Sequence, residues 1–151
     1  RLRITPSFFV SHTFFWGDWH REETLGVERA IRISPTRSAT ERGIRYTLHN
    51  DPPVVPPDMI RTLWSATTRR TRSGEVLGRE QRASTHEALA GITLDAARQY
   101  GEEASKGSIS AGKQADFVIV DQDPLAMDPE NLLQLQVLET ISRGKTVFLA
   151  P

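Results

Sequence analysis

The sequence predicts an α/β fold in which two short strands pair in parallel, helices follow, and a small β-rich unit closes the chain. Three observations carry this expectation. Two β-favouring runs, residues 4–11 and 44–48, each end in a polar stretch with helix-forming residues between them, the pattern of a strand–helix–strand unit. Residues 57–100 hold apolar positions at helical spacing with recognisable start and stop signals. From residue 106 the character turns to glycine-punctuated turns, one apolar run and a closing hairpin.

Size and composition bound the possibilities. The chain has 151 residues, enough for one domain and too few for a complete eight-stranded α/β barrel, which takes about 250. Basic and acidic residues balance at 19 each, so no global charge argues for nucleic acid or an anionic membrane as partner. With no cysteine there is no disulfide framework, no thiol nucleophile and no cysteine metal site; any metal must rest on histidines and carboxylates. The compartment is left open by this, with the cytoplasm as the default expectation. No apolar run approaches the roughly 20 residues of a membrane span. The first residue is Arg1 and the chain opens directly in a strand-like run, so a piece of a longer protein is expected.

Taken in order, residues 4–11 read as a strand ending at His12, with Pro6 tolerable near its start. Residues 13–20 concentrate Phe14, Phe15, Trp16, Gly17, Asp18 and His20 in what reads as a pocket-lining loop. Residues 25–31 suit one or two helical turns. A second short helix is expected through Ala39 to Arg42, with Ser34 as N-cap, Pro35 at the first helical position and Gly43 as its stop.

The next strand, carried by Ile44, Tyr46, Thr47 and Leu48, ends in His49, Asn50 and Asp51. Pro52, Pro53, Pro56 and Pro57 then forbid continuation of strand or helix. A parallel pair places both polar ends on one edge of the sheet, so His12 and Asp51 are expected to face one cavity. A helix is expected from Pro57 to Arg69, with Asp58 in its first turn and Met59, Ile60, Leu63, Trp64 and Thr67 on one face. Residues 71–82 form a polar loop. Ser84 and Glu87 make a capping box for a helix through Ile92, and a second helix runs from Ala96 to Tyr100 and stops at Gly101. Residues 115–121 read as a buried strand, residues 128–133 as at most one helical turn, and residues 137–141 and 146–149 as a hairpin about Gly144. So small a sheet must pack on the helices or pair with other strands. Open edges would otherwise invite self-association.

Four stretches then resemble a known family: Ser11-His12 with Trp16-Gly17-Asp18; Leu25-Gly26-Val27-Glu28-Arg29; the rim Thr47-Leu48-His49-Asn50-Asp51-Pro52-Pro53-Val54; and residues 107–121, which begin Gly107-Ser108-Ile109 and run through Gly112-Lys113 and Ala115-Asp116 into an apolar strand and Asp121. Together they resemble the C-terminal portion of the amidohydrolase superfamily, in the metal-dependent group known as amidohydrolase family 3 or YtcJ-like. The resemblance covers essentially the whole chain. It implies that the two N-terminal strands are the seventh and eighth of a metal-binding TIM-type (β/α)8 barrel. Residues 1–105 would belong to that incomplete barrel and residues 106–151 to part of a small side β-sandwich.

The resemblance also implies roles. Asp51 would be the eighth-strand carboxylate, contacting the metal centre and taking a proton from the attacking water. His12, Trp16, Asp18 and His49 would stand on the substrate side. The implied activity is hydrolysis of carbon–nitrogen bonds, amide or cyclic amide, in a small-molecule substrate, with a divalent metal, zinc by expectation. The sequence departs from the family at Asn50, where a small residue or serine is usual. The family's other metal-binding histidines have no counterpart in this sequence. The chain alone is therefore expected to bind no metal and to be inactive. A non-catalytic regulatory or interaction module derived from the same fold is the alternative.

Overall fold

A computed structural model describes residues 4–151. At its centre, β1 (Ser7–Phe8) and β2 (Thr47–Leu48) pair in parallel, Ser7 opposite Thr47 and Phe8 opposite Leu48, so the parallel pair expected from the sequence is present. The amide of Thr47 donates to the carbonyl of Pro6 at 2.9 Å and that of His49 to Phe8 at 3.1 Å. Both strands are shorter than the β-favouring runs that hold them. At Phe9 the first chain already turns, its carbonyl accepting from the His12 amide, and a helix begins.

That helix, α1 (His12–Trp19), stands where the sequence suggested a loop, and it runs on as a wider turn over His20–Thr24. The aromatic and glycine content misleads here because Gly17 is a packing contact and not a breaker: a Cβ on it would stand 2.7 Å from the Thr71 methyl carbon. The short α2 (Gly26–Ala30) follows, then α3 (Thr36–Glu41). Ser34 does not cap α3. Its backbone is left-handed (φ 43°), Pro35 precedes the helix, and the Ser34 hydroxyl turns instead towards the carbonyl of Phe9 and the ring of His12.

Beyond β2, α4 (Met59–Thr68) is capped by Asp58, whose carboxylate accepts from the Arg61 amide at 2.9 Å. Asp58 thus precedes the helix, one residue before its expected place in the first turn. The buried side of α4 carries Leu63, Trp64 and Ala66, with Trp64 edge-on to Phe14 of α1. Arg69 ends the helix in the left-handed region and is fully buried. The capping box of Ser84 and Glu87 opens α5 (Thr85–Ile92) as the sequence indicates, and α6 (Leu94–Gln99) follows at once. Helix α5 lies close on β2, where the backbone of Gly91 approaches Leu48. One apolar core joins Val10, Tyr46 and Leu48 to Leu63, Ala66, Ala88 and Leu132.

In the tail, the turn at Gly107 (φ 83°) brings the chain against α6 so tightly that a Cβ would stand 2.7 Å from that of Ala97. Strands β3 (Phe117–Val120), β4 (Val137–Ser142) and β5 (Lys145–Leu149) then form an antiparallel sheet in that order. Arg143 and Gly144, at φ 50° and 74°, make the tight turn of the expected hairpin. A 3-10 helix, Pro129–Gln134, longer than the one turn expected there, presents buried Leu132 to α4, and Glu130 pairs with Arg70 at 2.9 Å. The burial expected of β3 is not observed: Val118 and Ile119 are 58% and 43% exposed. An apolar run signals a strand with two covered faces only when layers lie on both sides, and here an open cavity of about 1020 Å³ separates Ile60, Leu63, Leu89 and Ile92 from Val118 and Val120.

Gly78 combines φ 70° with a backbone approach to Ile31, where a Cβ would fall 1.9 Å from the carbonyl oxygen. Gly78→Ala should lower stability by about 3 kcal/mol or more, the combined cost of left-handed strain and overpacking. Gly74→Ala, at φ 87° with open space around it, should cost only about 1 kcal/mol. Urea unfolding of the two variants checks the ordering.

Candidate functional site

Both strands of the parallel pair deliver their polar residues to one edge, the edge at which α/β enzymes build sites. There the ring of Phe9 meets two imidazoles. Its ring stacks on His12 with centroids 5.6 Å apart and on His49 at 5.5 Å, with interplanar angles of 21° and 22°. Trp16 meets the same phenyl edge-on at 6.1 Å, and His20 stands against His12 at 5.2 Å. Helix α1 makes this convergence possible: it turns the chain back over the end of β1, so that Trp16, one turn on from His12, returns to Phe9.

Each imidazole has a hydroxyl partner. His49 Nδ1 lies 2.8 Å from Ser7 Oγ, His20 Nδ1 lies 3.1 Å from Thr24 Oγ1, and His12 Nε2 lies 3.3 Å from Ser34 Oγ. His12 is pushed down to about 4, chiefly by burial, with the nearby His20, Arg69 and His49 adding to it. It is therefore neutral at pH 7, with a lone pair on one nitrogen and a proton on the other.

On the β2 side, Asn50 has a structural task. Asn50 is buried; its Oδ1 accepts from the hydroxyls of Thr62 and Ser11, and its amide donates to the sulfur of Met59. The rim is thereby fastened to α4. Asp51, next in the chain, turns outward at φ 56° and is exposed. Asp18 is differently placed. Its two oxygens accept from the amide and hydroxyl of Ser73 at 3.0 and 2.7 Å, and Arg21 lies 3.5 Å away. Burial works to raise this carboxyl, but the bonds from Ser73 and Thr71 and the charge of Arg21 outweigh it and hold Asp18 below the usual carboxylate range.

The structure thus gathers His12, Trp16 and His49 about Phe9, sets Asp51 on the exposed rim of the same edge, and engages Asp18 with the loop after α4. Phe9, Ser34 and Arg69 escaped the sequence reading as parts of one site, whereas His20, two helical turns after His12, was already read into the pocket-lining segment. Among the described residues no group of three or more His, Asp or Glu is placed to hold a metal ion. A tight zinc site needs three or four protein ligands, so the donors present here do not complete one.

A polar edge at the carboxyl ends of parallel strands, backed by helices and a small antiparallel sheet, defines an α/β architecture of the kind that carries enzyme sites. The amidohydrolase family matches residues 1–148, and the chain belongs to that family. It is 31% identical over 135 residues to an N-substituted formamide deformylase of Arthrobacter pascens, covering 87% of this chain and 24% of that protein. It is 27% identical over 150 residues to the putative amidohydrolase YtcJ of Bacillus subtilis, covering 97% of this chain and 27% of that one. The chain thus spans about a quarter of the length of these relatives. A metal-dependent hydrolase of Pyrococcus horikoshii shares the fold with a TM-score of 0.70 at 24% identity, over 85% of this chain and 26% of its own.

The buried state of His12 has a pH consequence. Unfolded, it takes up a proton below about 6.5; folded, it does so only near 4. Between these values the unfolded chain binds more protons, so stability should fall as pH drops from 6.5 towards 4, by up to about 3 kcal/mol. Urea unfolding across this window should show the slope, and His12→Gln should flatten it.

Proposed function

We propose that this chain supplies the last two β/α units, residues 1–105, and part of the side β-sandwich, residues 106–151, to a metal-dependent hydrolase that cleaves carbon–nitrogen bonds in small amides or cyclic amides. The observation that carries the reading is the rim itself: a carboxylate, Asp51, held out at the end of β2 by a buried Asn50 that fastens the strand end to α4. Family membership and the deformylase relative support it. The remaining metal ligands come from outside these residues.

A divalent cation, by our reading zinc, supplies charge that acidifies water and polarises a carbonyl. Asp51 would help hold that cation and would accept a proton from water there, a task suited to an exposed group with freedom to reorient. His12, neutral at working pH, offers either a donor or an acceptor to the substrate. Trp16 and Phe9 form an apolar wall beside it, and His49, fixed by Ser7, closes the stack. Asp18 acts on the substrate side by holding α1 to the loop after α4, which keeps Trp16 and His12 in place.

In the full-length hydrolase, Asp51→Ala should lower kcat by at least about a thousandfold with an unchanged unfolding midpoint. Retained turnover would remove Asp51 from the chemistry and favour a non-catalytic module. For the 151-residue chain, elemental analysis after dialysis should find far less than one zinc per chain; stoichiometric zinc would show a complete site where we infer a partial one.

A further inference from the structure

We propose that Ser34 is a positioning residue for His12, set in place by the buried guanidinium of Arg69. This rests on the reading of His12 as a substrate-side group and adds two residues to it. Three independent features converge on Ser34. Its backbone is left-handed at φ 43°, a conformation that is unfavourable for a residue with a Cβ and persists only where surroundings enforce it. Its carbonyl accepts from Arg69 Nη1 at 3.1 Å, and the adjoining carbonyl of Ile33 accepts from Nη2 at 2.8 Å. Its hydroxyl lies 3.3 Å from His12 Nε2 and 3.4 Å from the carbonyl oxygen of Phe9.

The enforcing group is Arg69. A guanidinium is planar and presents donors in a rigid fork. With Nε fixed on the carbonyl of Leu77 at 2.7 Å, the two terminal nitrogens have only one way to meet the carbonyls of residues 33 and 34. That pair of bonds holds the peptide in the left-handed turn, and the turn points the Ser34 side chain at the imidazole and away from the start of α3.

The hydroxyl then discriminates between the two neutral forms of His12. It has one hydrogen and two acceptor sites. Donated to Phe9, that hydrogen leaves the oxygen as acceptor for a proton on Nε2, and Nδ1 becomes the lone-pair nitrogen. A carbonyl can only accept, so both contacts are hydrogen bonds at once only when the hydroxyl donates to Phe9 and Nε2 carries the proton. We therefore assign the proton to Nε2 and the acceptor role to Nδ1. A substrate group that binds there is a donor, as an amide N–H is.

The test uses the chain labelled with 15N-histidine. At pH 7 the His12 ring should show one protonated nitrogen, Nε2, and one unprotonated nitrogen, Nδ1. Ser34→Gly keeps the left-handed turn without strain and deletes the hydroxyl, so the fold should persist while the two ring nitrogens move towards an average of both forms. Ser34→Asn, which also tolerates this backbone and restores a polar side chain, should recover part of the single-form signature. Ring shifts unchanged in a folded Ser34→Gly would overturn the proposal, as would a wild-type proton on Nδ1. In the full-length hydrolase Ser34→Gly should raise KM about tenfold with kcat little changed. If the ring shifts respond and KM does not, Ser34 positions His12 but His12 does not meet substrate, and the functional reading fails separately.

Discussion

One buried cation organises the segment on which the rest depends. Arg69 is fully inaccessible, has no ion-pair partner among the described residues, and gives its guanidinium to the carbonyls of Ile33, Ser34 and Leu77. Burial, followed by repulsion from Arg82, brings it down to about 10, so it remains charged at neutral pH. Desolvating a cation is expensive, and the compensation here is three charge-assisted bonds together with a place at the C-terminal end of α4, where the helix dipole is negative. Through these bonds the helix after β2 is tied to the turn before α3 and to the segment at Leu77. The crossover between the two parallel strands is thereby locked, and with it the relative position of the His12 and Asp51 ends.

On that frame the rim divides its work between neighbours. Asn50 turns inward and bonds the hydroxyls of Ser11 and Thr62 and the Met59 sulfur, while Asp51 turns outward and is exposed. Asn50 thereby anchors the strand end, beside an exposed carboxylate. Phe9 plays the corresponding part on the other side, its ring meeting both His12 and His49 so that imidazoles from distant segments come to one phenyl.

What the sequence made legible was local or followed from topology. The Ser84–Glu87 capping box, the Arg143-Gly144 hairpin and the parallel pair each rest on signals a few residues long, and each is present. From the pair came the expectation that His12 and Asp51 face one cavity; the residue that meets the same phenyl ring as His12 is instead His49, while Asp51 lies exposed. Helix α1 was not legible, because Phe, Trp and Gly in series resemble a loop lining until the packing of Gly17 on Thr71 is seen. Nor was the engagement of Asp18, whose partner Ser73 is distant in sequence. Ser34 looked like a helix cap because Ser-Pro is a start signal. The fork of Arg69 overrides that local preference, and no spacing in the sequence reveals it.

The central claim is that Asp51 faces a metal centre completed by residues beyond this chain. Anomalous diffraction at the zinc edge from crystals of the full-length protein tests it most directly. The expected peak lies at the edge where β1 and β2 end, in contact with the Asp51 carboxylate at about 2.2 Å. A well-occupied zinc with the Asp51 carboxylate turned away from it, or a metal bound elsewhere in the fold, would contradict the role given to this residue.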